Sequence, residues 1–163
     1  MYHFIINPNA GSGRGWKVWR AIAGYMDRHN IEYEAVLTNG IGEARDAARE
    51  LTKEAGKPCF LIVVGGDGTM NDVLDGASFH GPLNLGYIPA GTGNDLWRSL
   101  HMPASPVKCL KKQLQPRHFS MIDYGVLSYG KGEPFHRRFL VSAGIGFDAA
   151  VCQAALDSRL RSR

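Results

Sequence analysis

The sequence predicts a doubly wound α/β fold, because of how its apolar residues and glycines are arranged along the chain. Apolar runs of strand length alternate with segments of helical length as far as about residue 116 of the 163 residues. The run Cys59 to Val64 is continuous and rich in β-branched residues, as expected of a central parallel strand buried on both faces. Such strand–helix repeats predict a mostly parallel sheet, with ligands bound beyond the carboxyl ends of its strands.

Each element of this part rests on a local pattern. The strands are short apolar or alternating runs, predicted at residues 2–7, 31–37, 59–64 and 83–88. The two longer helices repeat apolar residues or alanine at helical spacing, at residues 16–29 and 43–55. Three further helices are predicted: one beginning near Thr69, one ending at Leu100, and one ending near Leu114.

The pattern changes in the last third of the chain. Two strands are predicted over residues 118–128 and 138–142. The polar segment 129–134 joins them, so the repeating strand–helix units are replaced by a β-hairpin.

Pro116 is the predicted boundary between two domains. Residues 1–116 would form the α/β domain, and residues 117–163 would begin a β-rich second domain. A helix is predicted over residues 149–163 at the end of this second part.

The composition is that of a globular protein with a mildly basic charge. Hydrophobic residues make up 44% and charged residues 21%, with a formal net charge of +4. The basic residues concentrate in the C-terminal third, which suits an anionic ligand, an anionic membrane surface or a solvated face. No apolar stretch reaches the ~18 residues that a membrane span needs. We therefore expect a cytoplasmic protein with, at most, peripheral contact at the inner face of the membrane.

The cysteines indicate neither a disulfide framework nor a zinc site. They are odd in number, far apart in the sequence and without a CxxC or Cys/His pairing. We expect reduced thiols in the core at Cys59, Cys109 and Cys152.

Glycine-rich loops after three strands are the strongest functional signal. They span residues 7–15, 65–76 and 89–95. Glycine lets backbone N–H groups approach phosphate oxygens, and a helix beginning there directs its positive end to the same place. A single such loop is often only a turn over the sheet, whereas three at one sheet edge indicate a phosphate site. Asp67, in the second loop, could hold a metal ion or accept a proton.

Two common nucleotide-binding motifs are absent from the first loop. No Gly-Lys-Ser/Thr sequence follows it, so it is not a Walker loop. Gly11, Gly13 and Gly15 do not have the spacing of a dinucleotide-binding fingerprint. Both standard nucleotide folds are therefore disfavoured.

Four motifs occur together in one order along the chain. They are Asn7-Pro8 with Gly11 and Gly13, Gly65-Gly66-Asp67-Gly68-Thr69 followed by Asn71, Pro89-Ala90-Gly91-Thr92-Gly93-Asn94-Asp95, and Ser142-Ala143-Gly144-Ile145-Gly146-Phe147-Asp148-Ala149. This combination resembles the catalytic domain of the diacylglycerol kinase and sphingosine kinase superfamily, specifically the soluble bacterial lipid kinases. The second motif alone is shared with NAD kinases and phosphofructokinases, but the first and third favour the lipid kinases.

The resemblance implies roles for the matching residues. Those expected to contact the phosphates of ATP or to close the nucleotide pocket are Asn7, Gly11, Ser12, Gly13, Gly66, Gly68, Thr69, Gly91, Thr92 and Asn94. Asp67 is the expected catalytic residue, either as a Mg²⁺ ligand or as the general base toward a lipid hydroxyl, and both roles stay open. The implied cofactors are ATP and Mg²⁺, and the implied partners are ATP and a lipid, with no nucleic acid.

Three further carboxylates receive no firm assignment. Asp72 stands where the family usually has a glutamate after asparagine, so any contact of that glutamate would be displaced or water-mediated. Asp75 and Asp95 lie in or near a helix or loop, where a carboxylate also caps N–H groups or faces water.

The chain also departs from the resembled family in length. Family members are about twice a single ~150-residue domain, with a β-sandwich after the nucleotide-binding domain. We therefore expect a fragment, inactive alone, in which 117–163 is an incomplete lipid-binding domain. An uncovered apolar face would favour either self-association as a homo-oligomer or disorder of residues 149–163, and its expected residues are Phe119, Ile122, Phe139, Val141 and Ile145.

The leading hypothesis is a lipid kinase domain that transfers the γ-phosphoryl group of ATP to diacylglycerol or a related lipid. One alternative is a nucleotide-binding module that does not catalyse. A third candidate is an NAD kinase-like enzyme, which the first and third loops oppose.

Overall fold

Strands and helices alternate through most of the chain, as the sequence predicts. The computed structural model describes residues 1–54, 56–132 and 134–157. The elements in chain order are β1 (Tyr2–Ile6), α1 (Ala10–Arg28), β2 (Tyr33–Leu37), α2 (Glu43–Leu51), β3 (Cys59–Gly65), α3 (Asp67–Gly76), β4 (Leu83–Pro89), α4 (Asp95–Ser99), α5 (Pro106–Leu114), β5 (Gly125–Tyr129), β6 (Phe135–Phe139) and α6 (Phe147–Asp157). Within the described residues, no helix combines the length and apolar content needed to span a bilayer.

Four of the strands form a parallel sheet in the order β2-β1-β3-β4. The adjacent strands β1 and β3 connect onward to opposite sides of the sheet: β1 leads to β2 on one side, and β3 leads to β4 on the other. Such a switch point opens a crevice at the carboxyl ends of the strands, where doubly wound folds bind ligands. The predicted α/β fold with a mostly parallel sheet is confirmed.

The core consists of two apolar layers, one on each face of the sheet. In β1, Phe4 and Ile6 pack with α1 and α5, whereas Ile5 between them packs with α2 and α3. The same alternation runs through residues 61–64 of β3, all of which are buried. Burial on both faces explains why these strands are continuously apolar instead of alternating with polar residues.

The antiparallel hairpin is confirmed, but its second strand lies earlier than predicted. β6 covers Phe135–Phe139 instead of 138–142, and it pairs with β5. The strand ends there because the backbone N–H of Leu140 donates to Oδ1 of Asn71 in α3 (2.9 Å). A contact with α3, which local sequence cannot reveal, therefore sets the end of the strand.

The first strand of the hairpin is shorter than predicted. β5 begins at Gly125, so residues 118–124 lie outside it. Tyr124 instead stacks on Phe79, with ring centroids 5.6 Å apart. This aromatic contact belongs to the packing of the segment on the α/β part rather than to strand pairing.

Several other boundaries move by a few residues. β2 begins two residues later than predicted, and α3 and α6 each begin two residues earlier. α2 ends at Leu51 instead of continuing to residue 55, which lies outside the described residues. The last part of the predicted C-terminal helix, residues 158–163, also lies outside them.

The predicted apolar face after Pro116 is partly exposed. Phe119, Ile122 and Ile145 are 66%, 46% and 78% exposed, whereas Phe139 and Val141 are half-buried. Homo-oligomerisation through this face stays a prediction, as does the domain boundary itself.

The three cysteines are free but not equally buried. Cys109 lies in the core, where burial raises the pKa of its thiol to about 11. Cys59 is half-buried, and desolvation also raises the pKa of its thiol. Cys152 is exposed, so the expectation of a core thiol there is wrong. It lies on α6, whose described side chains do not enter either core layer.

The contact between α2 and α3 yields a stability prediction. A Cβ atom at Gly76 would lie 1.9 Å from the carbonyl oxygen of Arg45, so a Gly76→Ala change must push the two helices apart. We expect it to lower the free energy of unfolding by about 1–3 kcal/mol, as overpacking does. Urea denaturation measures this change.

Gly24 provides the matched control for this prediction. A Cβ atom there would have no heavy atom within 4 Å, and the residue lies inside α1. Gly24→Ala should therefore raise the free energy of unfolding by up to about 1 kcal/mol. Equal destabilisation by both substitutions would contradict the close packing of α2 on α3.

Candidate functional site

The first loop leaves β1 through a left-handed turn. Gly11, Ser12 and Gly13 have φ values of +56°, +56° and +85°, so the regular part of α1 starts beyond them. A Cβ atom at Gly11 would also lie 2.4 Å from the carbonyl oxygen of Ala90. Ser12 holds a positive φ without being glycine, which is uncommon and often found at functional sites.

The second loop forms the first turn of α3. β3 ends at Gly65 and α3 begins at Asp67, so the Gly-Gly-Asp-Gly-Thr motif spans the junction of strand and helix. The capping residue, Gly66, has no side chain to satisfy the first N–H groups of the helix. These N–H groups, together with the helix dipole, suit an anionic ligand.

The third loop is shaped by the buried side chain of Asn94. Its Oδ1 accepts hydrogen bonds from the N–H of Gly91 (2.9 Å) and the hydroxyl of Tyr87 (3.2 Å), and its Nδ2 donates to the Gly91 carbonyl (2.8 Å). Burial, together with the nearby charge of Asp67, raises the pKa of Tyr87. The Tyr87 hydroxyl therefore stays protonated and keeps donating to Asn94.

Each of the three loops is bonded to the other two. Nδ2 of Asn7 donates to Oγ1 of Thr69 (3.3 Å), which joins the first loop to the second. The N–H groups of residues 90 and 91 donate to the carbonyl of Gly65 (2.7 and 3.1 Å), which joins the second to the third. The guanidinium of Arg14 donates to the carbonyls of Ala90 (3.2 Å) and Gly91, which joins the first to the third.

Asp67 makes structural contacts as well as facing the crevice. Its Oδ2 accepts from the N–H of Asp95 (3.0 Å) and its Oδ1 from the N–H of Leu96 (3.3 Å), so it holds the start of α4. An ionised carboxylate has about four acceptor positions, so two bonds leave it capacity for a ligand. Asp67 therefore has a structural role in the third loop that the sequence did not indicate.

The loops line an open cleft of about 560 Å³ beside the β1/β3 switch point. The predicted site residues that line it are Asn7, Gly11, Gly66, Asp67, Gly68, Thr69, Gly91 and Thr92. Three predicted residues, Ser12, Gly13 and Asn94, do not line it, and Asn94 supports the third loop from within.

Sequence reasoning missed a fourth segment at the cleft. Residues 38–41 line it and directly follow β2, and Asn9, Ala10 and Gly93 also contribute. The rule that placed the other loops, that ligands bind beyond the carboxyl ends of parallel strands, would have found residues 38–41. The segment contains a single glycine, so the glycine-rich pattern that marks the other loops does not indicate it.

The three unassigned carboxylates have different surroundings. Asp72 lines the cleft and forms an ion pair with Arg137 (3.2 Å). Asp75 is almost fully buried and pairs with arginines, so its role is structural. Asp95 is exposed and pairs with Arg98 one turn later (2.8 Å).

The charges around the cleft are suited to a metal-bound phosphate. Among the described residues that line it, Asp67 and Asp72 are ionisable and none is basic. No cluster of three or more His, Cys, Asp or Glu side chains in the described part of the chain could hold a metal by itself. Mg²⁺ is commonly bound by one or two carboxylates together with substrate phosphates, so this donor set fits that ion.

Comparison with known proteins connects this site to one family. The family model for the diacylglycerol kinase catalytic domain matches residues 1–127. The "Putative lipid kinase YtlR" of Bacillus subtilis (strain 168) is 34% identical over 164 residues, covering 98% of this chain and 52% of the relative. A diacylglycerol kinase of Staphylococcus saprophyticus is 31% identical over 160 residues, covering 97% of this chain and 48% of the relative.

A solved structure has the same fold. The crystal structure of a diacylglycerol kinase from Bacillus anthracis str. Sterne superposes with a TM-score of 0.65 at 26% identity. The match covers 85% of this chain and 47% of that one. The chain spans about half the length of the curated relatives it matches.

The role of Arg14 in joining the loops can be tested by its removal. Arg14→Ala deletes two hydrogen bonds to loop carbonyls and should cost about 1 kcal/mol of unfolding free energy, because Arg14 is exposed and its bonds are screened by water. Amide hydrogen exchange at Gly91 should accelerate, because the third loop loses its tie to the first. Arg28→Ala, an exposed change in the last turn of the same helix, is the control and should leave hydrogen exchange at Gly91 unchanged. Unchanged exchange at Gly91 in the Arg14 variant would contradict this role.

Proposed function

The chain belongs to the diacylglycerol kinase catalytic-domain family, and we propose that it is the ATP-binding part of a lipid kinase. The proposed reaction transfers the γ-phosphoryl group of ATP to a hydroxyl of diacylglycerol or a related lipid. Residues from 117 onward are proposed as the start of the lipid-binding domain. We further propose that the protein works in the cytoplasm, with peripheral contact at an anionic membrane surface, and that this chain alone is inactive.

The observation that carries this proposal is the set of cross-bonded loops around a single cleft. Each loop follows a parallel strand, and mutual hydrogen bonds fix their relative positions. Phosphoryl transfer depends almost entirely on positioning and charge stabilisation, so a rigid cradle of backbone N–H groups is what the reaction needs.

The proposed contacts to the nucleotide follow from this arrangement. The backbone N–H groups of Gly11 and of the first turn of α3 would bind the phosphates, and Thr92 would close the pocket from the third loop. Asn94 would act indirectly, by keeping Gly91 in place against Gly66. Ser12 and Gly13 stay proposed contacts because their left-handed backbone belongs to the same turn as Gly11.

Asp67 is the proposed catalytic residue. In the reaction, the lipid hydroxyl oxygen bonds to the γ-phosphorus, the bond to the bridging oxygen breaks, ADP leaves, and the hydroxyl proton passes to a base. Asp67 could accept that proton or hold Mg²⁺, and its two bonds to α4 orient the carboxylate for either role. When bound, Mg²⁺ would neutralise phosphate charge that no basic side chain among the described lining residues offsets.

Nucleotide titration tests the location of the site. On addition of Mg-ADP to the isotope-labelled chain, amide chemical shifts should change most at residues 11–13 and 66–69. Residues 38–41 should respond as well, since they line the same cleft. Changes concentrated on α2 instead would show that the site is misplaced.

Replacement of Asp67 tests its catalytic role in the full gene product that carries this sequence. Asp67→Asn should reduce lipid phosphorylation by ~10²–10⁴-fold, the range for loss of a general base. Because Asp67 also holds α4, thermal unfolding must be measured beside activity. Asp46→Asn, which removes an exposed charge on α2, is the control and should retain activity.

The outcomes also separate catalysis from binding alone. Activity of Asp67→Asn within a few-fold of the unmodified protein would refute the assignment. If the full gene product binds Mg-ADP but never phosphorylates a lipid, the chain is a nucleotide-binding module instead of a kinase domain.

A further inference from the structure

The hairpin is attached to α3 by a cluster of charged contacts that reaches the cleft wall. Nη2 of Arg137 lies 3.2 Å from Oδ1 of Asp72, and its Nε lies 3.3 Å from Oδ2 of Asp75. Arg137 belongs to β6, 65 residues after Asp72 in the chain. A residue of the C-terminal β-rich segment thus pairs with a carboxylate that lines the cleft.

The neighbouring arginine attaches the hairpin without contacting Asp72. The N–H of Arg138 donates to Oδ1 of Asp75 (2.9 Å). Its guanidinium donates to the carbonyls of Ala77 (2.8 Å) and Asp75 (3.0 Å), and it lies over the ring of Phe79. Arg137 and Arg138 therefore both hold the hairpin on α3, but the charge of Asp72 is compensated by Arg137.

Asp72 needs that compensation because of where it lies. It follows the phosphate-binding turn by one helical turn, faces the cleft and is about one-third exposed. Burial raises the pKa of Asp72, while the guanidiniums of Arg137 and Arg45 oppose that shift. An uncompensated carboxylate here would repel a polyphosphate, and no basic side chain among the described lining residues would offset it.

We propose that Arg137 is a positioning residue of the nucleotide cleft: it holds and neutralises Asp72, so that the β-rich segment contributes to nucleotide affinity without contacting the nucleotide. This inference rests on the proposed ATP-binding function. It assigns to the hairpin a role in the nucleotide site in addition to any role in lipid binding.

Binding measurements on the 163-residue chain test the proposal, with ADP alone and Mg-ADP as probes. Arg137→Gln should weaken ADP binding roughly tenfold, within the usual range of coupling between sites. The loss should be smaller with Mg-ADP, because the ion offsets part of the phosphate charge. Arg138→Gln is the matched control: it loosens the same hairpin but leaves the Asp72 pair, so ADP affinity should stay within about twofold of the unmodified chain.

A second substitution identifies the cause of the loss. Adding Asp72→Asn to Arg137→Gln removes the carboxylate that Arg137 had neutralised, so ADP affinity should return to nearly its original value. A merely structural role of Arg137 would not be rescued in this way. Equal losses in the Arg137 and Arg138 variants, or failure of Asp72→Asn to restore binding, would overturn the proposal.

Two further outcomes are decisive. If Arg137→Gln does not fold, Asp72→Asn alone is used, and weaker binding of metal-free ADP than in the unmodified chain would overturn the proposal. If the unmodified chain binds neither ADP nor Mg-ADP, the proposed nucleotide-binding function itself fails, and the role of Arg137 fails with it. Nucleotide binding by the unmodified chain therefore distinguishes failure of the proposed function from failure of the role of Arg137 alone.

Discussion

The close approach of the second and third loops is the contact on which the cleft depends. A Cβ atom on Gly91 would lie 2.5 Å from the Cα of Gly66, so position 91 requires glycine, and a Cβ atom on Gly66 would meet the Cα of Gly91 at a tight 3.1 Å. The approach lets the carbonyl of Gly65 accept two N–H groups, which extends the pairing of β3 and β4 past the ends of the strands. Because α4 follows the third loop, its N–H groups then reach Asp67. Separation of the loops would remove these contacts together.

Helix α3 connects the two parts of the molecule. Its first turn lines the cleft, and its later residues bind the hairpin through Asn71, Asp72 and Asp75. Its apolar face packs on the sheet through Met70 and Val73, so the helix is held on three sides. The site and the β-rich segment therefore share one rigid element.

The electrostatics of the cleft explain why its loops are rich in glycine and poor in basic residues. Backbone N–H groups and the start of a helix supply partial positive charge without long side chains that would fill the space. Arg14 lies in the first loop, but its guanidinium donates to the carbonyls of Ala90 and Gly91. Arg137 does not line the cleft, but it forms an ion pair with Asp72, which does. Positive charge is thus used mainly to hold the loops and to balance carboxylates.

The sequence by itself determined the α/β class, the parallel strands and most of the cleft, because these follow from local signals. Apolar run length predicted β1 and β3, and glycine at strand ends predicted Gly11, Gly66 and Gly91. Only the tertiary structure decided where β6 ends, that Asp67 holds α4, and that Arg137 pairs with Asp72. Each of these depends on side chains and backbone groups distant in sequence. Periodicity reports which face of an element is buried, but a hydrogen bond or ion pair forms only where folding brings both partners together.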